Sequence, residues 1–527
     1  MGRSKEVVYY RDRLKGTILS ESDCDILENL LRVDAQKGYI KDLQNVIWEL
    51  DPSDVELLKT TKDNTFIAMK KGTLTNIQTV GVAYMYFAKS LILGDSVGLG
   101  KTVEICGLCN LLESKMLKEN QEFRCLYLTE KNLLPQTQDK FIKFTGNYVE
   151  LVWGEKKYVQ KFCSENLDYI QYSVVGTHSL LTNPMFQEYL ISYKRRNGCY
   201  PFDLLVIDEA GDILKNSTTK TYKDAMQIRD MFERVVILNA TSFEKELGMF
   251  YNQLHFVDKT FLPTKTAFQK EYEVKDYTGP YPRFSGKYKN QEKFKSLVAY
   301  RYLARTRKST GATMTNCSAD VVVVPLSIEQ RELLQITSMP SMVYDCPSYF
   351  GTGVDTNEET TPKLAALVKI LTDTWADERE ILVYAKYKEA QDNIKFTLGE
   401  YDIDSYILNG DSSKEEREAV INAFKLGDIR VLITNVQKGL DFGNCNHCIF
   451  YNYDSNPNNM VQFEGRMTRS YNIDNKHVIL LISRGKELRT FKKVAVERAT
   501  ASDIFAGSDY SCVLSILLDS GKIAELK

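Results

Sequence analysis

A glycine-rich turn followed by a Lys-Thr pair is the first group of residues whose types and spacing could do chemistry. The apolar run SLIL precedes the turn GDSVGLGKT (94–102), and the apolar helical pattern VEICGLCNLL follows it. This order of strand, turn and helix start lets backbone N–H groups approach a phosphate. Lys101 could then reach the β- and γ-phosphates of a nucleotide, and the Thr102 hydroxyl could ligate Mg²⁺. The generic pattern has glycine at the position of Asp95, so the match is incomplete on its own.

Two adjacent carboxylates, Asp208 and Glu209, follow the apolar run LLVI. Parallel sheets bind ligands at the carboxyl ends of their strands, so we expect both side chains to lie near a bound nucleotide. Asp208 could hold Mg²⁺ through water, and Glu209 could orient and deprotonate the water that attacks a phosphoryl group. The alternative is that Asp208 only caps a helix.

Two arginines occur three residues apart in QFEGRMTR (462–469). In a helix Arg466 and Arg469 would share one face. Arginines directed at a γ-phosphate from a separate domain would stabilise transition-state charge and would couple hydrolysis to domain motion. Taken alone, such residues are more often members of surface ion pairs.

Two series of strand and helix patterns are available to position these residues. In the first, from about 65 to 245, short β-rich runs such as RCLYLTE and FDLLVIDEA alternate with helical segments, and a second series begins near 320. Such alternation predicts βαβ units and buried parallel sheets. The predicted organisation is a helical lead-in at 1–60, an α/β domain at 61–250, a basic helical insertion at 251–318, a second α/β domain at 319–490 and a C-terminal tail at 491–527.

The stretch from 259 to 310 is far more basic than the rest of the chain. It contains 13 Lys or Arg and four acidic residues, with aromatic residues interleaved. Lys and Arg can neutralise phosphates while rings stack on bases, so the stretch is the best local candidate for nucleic-acid contact. The equal alternative is a solvated insertion whose rings pack onto the domains. The candidate contacts are Lys287, Lys289, Lys293 and Lys295.

The composition is that of an ordinary globular protein and leaves the partner open. The 527 residues include 68 Lys and Arg against 70 Asp and Glu, so net charge would not attract a polyanion. No apolar run approaches the roughly 18 residues of a membrane span, and the first residues lack a signal-peptide core, so a cytoplasmic location without a membrane partner is expected. Two C-x-x-C pairs, Cys106 with Cys109 and Cys445 with Cys448, are interpreted as buried thiols rather than as a zinc site.

The order of these motifs resembles the Swi/Snf-type double-stranded DNA translocases of helicase superfamily two. GDSVGLGKT is similar to the family's Asp-Glu-x-Gly-Leu-Gly-Lys-Thr, in which Asp also stands at position 95. LTNIQTVGVAYM resembles the adenine-reading segment, and RCLYLTEKNLLPQTQDKF and SVVGTHSLLT resemble the segments that track DNA. LNATSFEKELGM resembles the coupling segment, while VLITNVQKGLDF and SNPNNMVQFEGRMTRS follow in the family's order. The resemblance covers roughly residues 65 to 485.

The resemblance implies two tandem RecA-like domains that use ATP and Mg²⁺. It implies that catalysis involves Lys101, Asp208, Glu209, Gln462, Arg466 and Arg469. It implies a nucleotide site formed by Gln78, Gly98, Gly100, Lys101, Thr102, Asp208, Gly439 and Asp441, with Thr102 and Asp208 as the Mg²⁺ ligands. It further implies nucleic-acid contacts at Thr177, Thr241, Ser242 and Thr434.

This chain departs from the family's pattern at two places. The fourth residue of the carboxylate motif, His in most relatives, is Gly211, so the side chain that usually relays the ATP state is absent. Coupling is then expected to be weaker or to run through Gln462. After Arg469 the family usually continues Ile-Gly-Gln, whereas Ser470-Tyr471 follow here, which affects the placement of that loop.

The sequence therefore predicts an ATP-dependent motor that hydrolyses ATP on duplex DNA and displaces proteins or remodels DNA structures. A strand-separating DNA or RNA helicase and a non-catalytic interaction module with the same fold are the alternatives. We expect a monomer in the cytoplasm, associated with the nucleoid, and a bacterial or phage origin. A protein displaced or recruited on DNA would be its further partner.

Overall fold

The computed structural model describes residues 69–72, 74–96, 98–118, 120–211, 213–239, 247–260, 262–277, 283–299, 301–305, 317–336, 343–344, 361–435, 442, 445–453, 460, 463–464, 475–504 and 512–526. The chain divides into two compact units: the described residues up to 305, with 503–504, belong to the first, and the described residues of 317–502 and 512–526 belong to the second. The predicted lead-in at 1–60 lies outside the described residues.

The first unit contains a seven-stranded sheet with the order β3-β4-β2-β5-β6-β1-β9, in which every pairing is parallel. Its strands are β1 Ser90–Leu93, β2 Cys125–Thr129, β3 Val149–Val152, β4 Ser173–Thr177, β5 Leu204–Asp208, β6 Arg234–Leu238 and β9 Tyr302–Leu303. The helices that connect β1 to β6 are α2 Lys101–Lys118, α3 Leu134–Thr145, α4 Lys156–Glu165, α5 Pro184–Asn197 and α6 Lys220–Ile228, and α1 Asn76–Ala88 precedes β1.

Burial on both faces explains why these strands are continuous apolar runs rather than alternating ones. All four residues of β1 and all five of β2 are buried, as parallel strands covered by helices require. Cys106 on α2 belongs to the same core, where burial raises the pKa of its thiol. The predicted α/β class is confirmed for this unit.

The basic stretch is only partly helical and packs on the first unit. It consists of α8 Lys265–Tyr272, an antiparallel hairpin of β7 Glu273–Asp276 with β8 Arg283–Tyr288, and α9 Gln291–Ala299, after α7 Leu247–Val257. The strand β9 then pairs with β1, with Ile92 opposite Tyr302. Because a β-strand of the stretch completes the first sheet, this part of the predicted insertion belongs to the first unit rather than forming a separate helical segment.

The second unit contains a six-stranded parallel sheet with the order β10-β15-β14-β11-β13-β12. Its strands are β10 Cys317–Val324, β11 Ile381–Tyr384, β12 Ser405–Leu408, β13 Val431–Thr434, β14 His447–Phe450 and β15 Lys476–Ser483. Its helices are α10 Ile328–Ile336, α11 Pro362–Lys369, α12 Lys388–Glu400, α13 Lys414–Lys425, α14 Lys486–Ile504, α15 Cys512–Asp519 and α16 Lys522–Glu525. The second predicted α/β domain is thereby confirmed.

The predicted C-terminal tail is instead part of the second core. Val513, Leu514 and Leu517 on α15 are buried in a cluster with residues of the sheet, and Ile523 on α16 joins them. The apolar run CVLSILLD explains this packing, because a helix that is apolar on most of its surface has to be covered. No helix among the described residues is long and apolar enough to cross a membrane.

Candidate nucleotide and nucleic-acid site

The glycine-rich turn is held open by two glycines with left-handed backbone conformations. Gly98 has φ 91° and Gly100 has φ 95°, values that residues with a Cβ rarely adopt. The Gln78 amide lies directly over Gly100, where an added Cβ would approach Gln78 Nε2 to 2.4 Å. Gln78 Nε2 donates to Leu99 O at 3.1 Å, and its Oε1 accepts from Thr75 N in a capping box at the start of α1. The structure thus brings the predicted adenine-reading residue onto the loop.

The Lys101 ammonium lies within the loop that precedes it. Lys101 Nζ donates to Asp95 O at 2.6 Å, and Ser96 O lies 3.5 Å from the same nitrogen. Lys101 also begins α2, whose first backbone N–H groups are available to an anion. The predicted phosphate-binding residues therefore share one short loop and one helix N-terminus.

Arg305 contacts this loop from a segment about 200 residues later in the chain. The sequence analysis did not predict it as a residue of the site. Its guanidinium bonds both Asp95 carboxylate oxygens, and its Nη2 lies 2.8 Å from Glu104 Oε2. All three side chains are buried, and Ser96 N donates to Arg305 O at 3.0 Å. Although burial opposes its charged form, Glu104 and Asp95 raise the pKa of Arg305 above its ordinary value. Asp95 thus makes a structural ion pair with Arg305.

A buried phenol lies against Asp208, near Thr102. Tyr127 on β2 donates to Asp208 Oδ2 at 2.9 Å. The neighbouring Thr102 side chain acts to lower the pKa of Tyr127. Burial and the Asp208 charge raise the pKa of Tyr127, which keeps the phenol proton available for donation. A hydroxyl and a carboxylate are oxygen donors of the kind that Mg²⁺ prefers, so the two predicted ligands fit that ion.

Glu209 adopts a backbone conformation that is unfavourable for a residue with a Cβ. Its φ is 52°, and its N–H donates to Leu238 O at 2.8 Å. Asp208 ends β5 at the carboxyl edge of the sheet, as predicted. Gly211 lies in the turn that follows.

A cleft of about 420 Å³ opens at the carboxyl ends of β2, β3 and β4. Thr177 Oγ1 lies 2.7 Å from Ser179 Oγ on its wall, and His178 Nε2 lies 2.7 Å from Asp208 O. Lys131 and Glu155 form an ion pair at the exposed rim. Thr177 therefore lines the cleft, although its own side chain is largely buried. The cleft is lined by Thr129, Glu130, Lys131, Gly154, Glu155, Thr177, His178 and Ser179.

The aromatic residues of the basic stretch are divided between the core and the surface. Phe268, Tyr272 and Phe294 are buried and pack edge to face or tilted against one another. These three rings pack into the core of the first unit instead of being available to stack on bases. Tyr277, in contrast, is exposed. Lys287 and Lys289 are exposed, and Lys293 Nζ donates to Glu271 Oε1 at 2.8 Å. Lys295 lies on α9.

The second unit places one of its predicted residues in the core. Thr434 ends β13 and is fully buried, and its carbonyl accepts from Ala385 N at 3.0 Å. That position disfavours direct contact with a phosphate. The remaining predicted residues lie outside the described part of the chain: Thr241, Ser242, Gly439, Asp441, Gln462, Arg466 and Arg469.

Comparison with known families identifies both halves of this arrangement. The SNF2-related domain matches residues 54–368, and the helicase conserved C-terminal domain matches residues 362–471. The chain belongs to the SNF2-related family. This SNF2-related chain is an ATPase of helicase superfamily two, as the sequence predicted.

Its relatives include bacterial and eukaryotic proteins. An uncharacterized ATP-dependent helicase of Bacillus subtilis, YqhH, is 23% identical over 77% of this chain and 76% of its own length. The putative ATP-dependent helicase/translocase YwqA of the same organism is 22% identical over 83% of this chain and 48% of its own. The Xenopus laevis SWI/SNF-related matrix-associated actin-dependent regulator of chromatin subfamily A-like protein 1 is 22% identical over 83% of this chain. The chain spans 46% of that protein's length.

Among solved structures, the Sulfolobus solfataricus SWI2/SNF2 ATPase core in complex with dsDNA covers 87% of this SNF2-related chain and 98% of its own. Its sequence identity to the chain is 18%, and the TM-score is 0.38.

Proposed function

We propose that this SNF2-related chain uses ATP hydrolysis to move along duplex DNA and thereby displaces bound proteins or remodels DNA structures. The observation that supports the proposal most lies in the first unit, where Tyr127 donates to Asp208 Oδ2 and has the Thr102 side chain of the glycine-rich loop as a neighbour. Phosphoryl transfer would use such a loop, as a phosphate cradle, together with nearby acidic groups. A relative named a helicase/translocase favours movement along nucleic acid as the outcome.

In this proposal the residues of the first unit divide the chemistry among them. Lys101 and the first backbone N–H groups of α2 bind the β- and γ-phosphates. Thr102 and Asp208 would hold Mg²⁺, which when bound neutralises charge on the phosphate oxygens. Glu209 orients the attacking water and accepts its proton. Gln78, fixed on Leu99 O, contacts the adenine base.

On the nucleic-acid side, the cleft at the carboxyl ends of β2, β3 and β4 takes a phosphodiester backbone. Hydroxyl groups of Thr177 and Ser179 and the ammonium of Lys131 are suitable donors for phosphate oxygens. Lys287 and Lys289 add exposed positive charge elsewhere on the first unit. The expectations of a monomer, of cytoplasmic action near the nucleoid and of a bacterial or phage origin stay predictions.

The test is ATP turnover measured without nucleic acid and with duplex DNA, single-stranded DNA or RNA. We expect duplex DNA to give the largest increase in kcat. A larger increase with single-stranded DNA or RNA would favour a strand-separating helicase. ATP turnover that no polymer changes would contradict the proposed function while leaving the ATPase assignment intact.

A further inference from the structure

The peptide group between Asp208 and Glu209 is held on both of its polar atoms. Its N–H donates to Leu238 O at 2.8 Å, and its carbonyl oxygen lies 2.7 Å from His178 Nε2. A carbonyl oxygen can only accept, so His178 Nε2 carries the proton in this bond. The orientation of this peptide therefore depends on a side chain from another strand end.

The same peptide sets the direction of the Glu209 side chain. With φ at 52°, Glu209 occupies a region that residues with a Cβ enter only where the surroundings fix them. If the His178 bond is lost, the peptide can rotate toward a more favourable φ, and the carboxylate moves with it. Gly211 has no side chain that could replace this restraint.

His178 is also part of the cleft wall. It begins the short 3₁₀ turn His178–Thr182 that follows β4, and its neighbours Thr177 and Ser179 bond each other at 2.7 Å. All three line the cleft beside Lys131 and Glu155. A ligand that contacts Thr177 or Ser179 therefore acts on the turn that holds the Asp208 carbonyl.

We propose that His178 is a positioning residue that transmits occupation of this cleft by a nucleic-acid backbone to the Glu209 carboxylate. The proposal rests on the proposed function, because it requires that nucleic acid stimulates ATP hydrolysis. It differs from a purely structural role in one respect. A structural histidine affects turnover with and without DNA by the same factor, whereas a transmitting histidine affects mainly the stimulated rate.

The test compares His178→Met with His178→Gln, since the two side chains have similar length and only glutamine can donate to the Asp208 carbonyl. ATP turnover is measured with no DNA and with saturating duplex DNA, and duplex affinity is measured separately. His255→Gln is the matched control, because His255 bonds Tyr222 on α6 and does not line the cleft. Thermal melting establishes that each variant is folded.

For His178→Met we expect the DNA-stimulated kcat to fall by about tenfold or more, with the KM for ATP and the duplex affinity within about twofold of wild type. The ratio of stimulated to unstimulated turnover should approach one. His178→Gln should retain most of the stimulation, and His255→Gln should match wild type.

Two results would overturn the proposal while leaving the proposed function intact. One is an unchanged stimulation ratio in His178→Met, whether or not the absolute rate falls. The other is loss of stimulation in His178→Gln equal to that in His178→Met. If wild-type turnover itself does not respond to duplex DNA, the proposed function and this proposal are both wrong.

Discussion

For single residues, we propose separable tasks for the glycine-rich loop and the β5 carboxylates. Lys101 donates to a carbonyl of its own loop and begins α2, and in the proposed function it binds the phosphates. Glu209 follows the end of β5, and its backbone N–H donates to Leu238 O. Removing one should affect nucleotide affinity, and removing the other should affect the chemical step.

We expect Glu209→Gln to bind ATP with nearly wild-type affinity and to lose hydrolysis, because the amide can still occupy the position but cannot accept a proton. Lys101→Ala should lose nucleotide binding or turnover. Equilibrium binding of a fluorescent ATP analogue and steady-state phosphate release distinguish the two. Undiminished hydrolysis by Glu209→Gln would remove Glu209 from the mechanism.

A second prediction at this scale concerns Arg469, which the family resemblance marks as a residue acting on transition-state charge. Arg469→Ala should lower ATP turnover by at least ~10²-fold and leave duplex affinity without ATP nearly unchanged. Steady-state phosphate release measures the ATP turnover, and a DNA-binding titration measures the duplex affinity. Normal turnover with weakened DNA binding would make Arg469 a phosphate contact, and Arg466 would then be the better candidate for the catalytic role.

At the scale of elements, the segment after β9 stabilises the phosphate loop. The Arg305 guanidinium pairs with the buried side chains of Asp95 and Glu104. Burial raises the pKa of Glu104 to about 8, so the pair with Asp95 is the one on which the charge argument rests. Arg305→Met should destabilise the first unit by about 3–5 kcal/mol, because removing one partner leaves buried charge uncompensated. Urea unfolding measures this loss.

The matched control for Arg305→Met also replaces its two acidic partners, Asp95 and Glu104, with neutral amides. Adding Asp95→Asn and Glu104→Gln to Arg305→Met should recover much of the stability, since no buried charge then remains in the group. If Arg305→Met unfolds at the wild-type urea concentration, the ion pair contributes nothing to the stability of the first unit.

The basic stretch gives a second prediction for an element. Replacing Lys287 and Lys289 with Ala should weaken duplex binding uniformly across sequences and flatten the dependence of log K on log salt by up to ~0.9 for each lost phosphate contact. Lys293→Ala should change the slope less, because Lys293 already pairs with Glu271. Basal ATP hydrolysis should persist in each variant. An unchanged slope in folded protein would show that the stretch does not grip DNA.

Patterns in the sequence predicted the two parallel sheets and the phosphate loop because both depend on local signals. SLIL, CLYLT and LLVID are continuous apolar runs, and glycine positions mark the turn. Arg305 gave no such signal, since its partner Asp95 is 210 residues away in the chain. The sequence also could not predict which aromatic rings of the basic stretch are buried and which are exposed. Composition does not distinguish a ring that stacks on a base from a buried ring such as Phe294.

At the scale of the whole molecule, each unit completes its core with segments distant in sequence. The first sheet ends with β9, which lies within the basic stretch, and the second core includes α15. Pattern reading assigned the first segment to a separate insertion and the second to a tail. Local periodicity could not predict that β9 joins the first sheet, because β9 has only two residues. It could not predict that α15 joins the second core, because α15 follows a break in the helical pattern.

We propose that ATP hydrolysis moves this protein along duplex DNA. The most direct measurement is displacement of a labelled third strand from a triplex placed on a long duplex, since a protein moving along the duplex removes it without separating the duplex strands. We predict displacement that requires ATP, that is abolished by Glu209→Gln and that leaves the duplex paired. Duplex-stimulated hydrolysis without any triplex displacement, or displacement that occurs only with unwinding of the duplex, would show that the protein does not move along paired DNA as proposed.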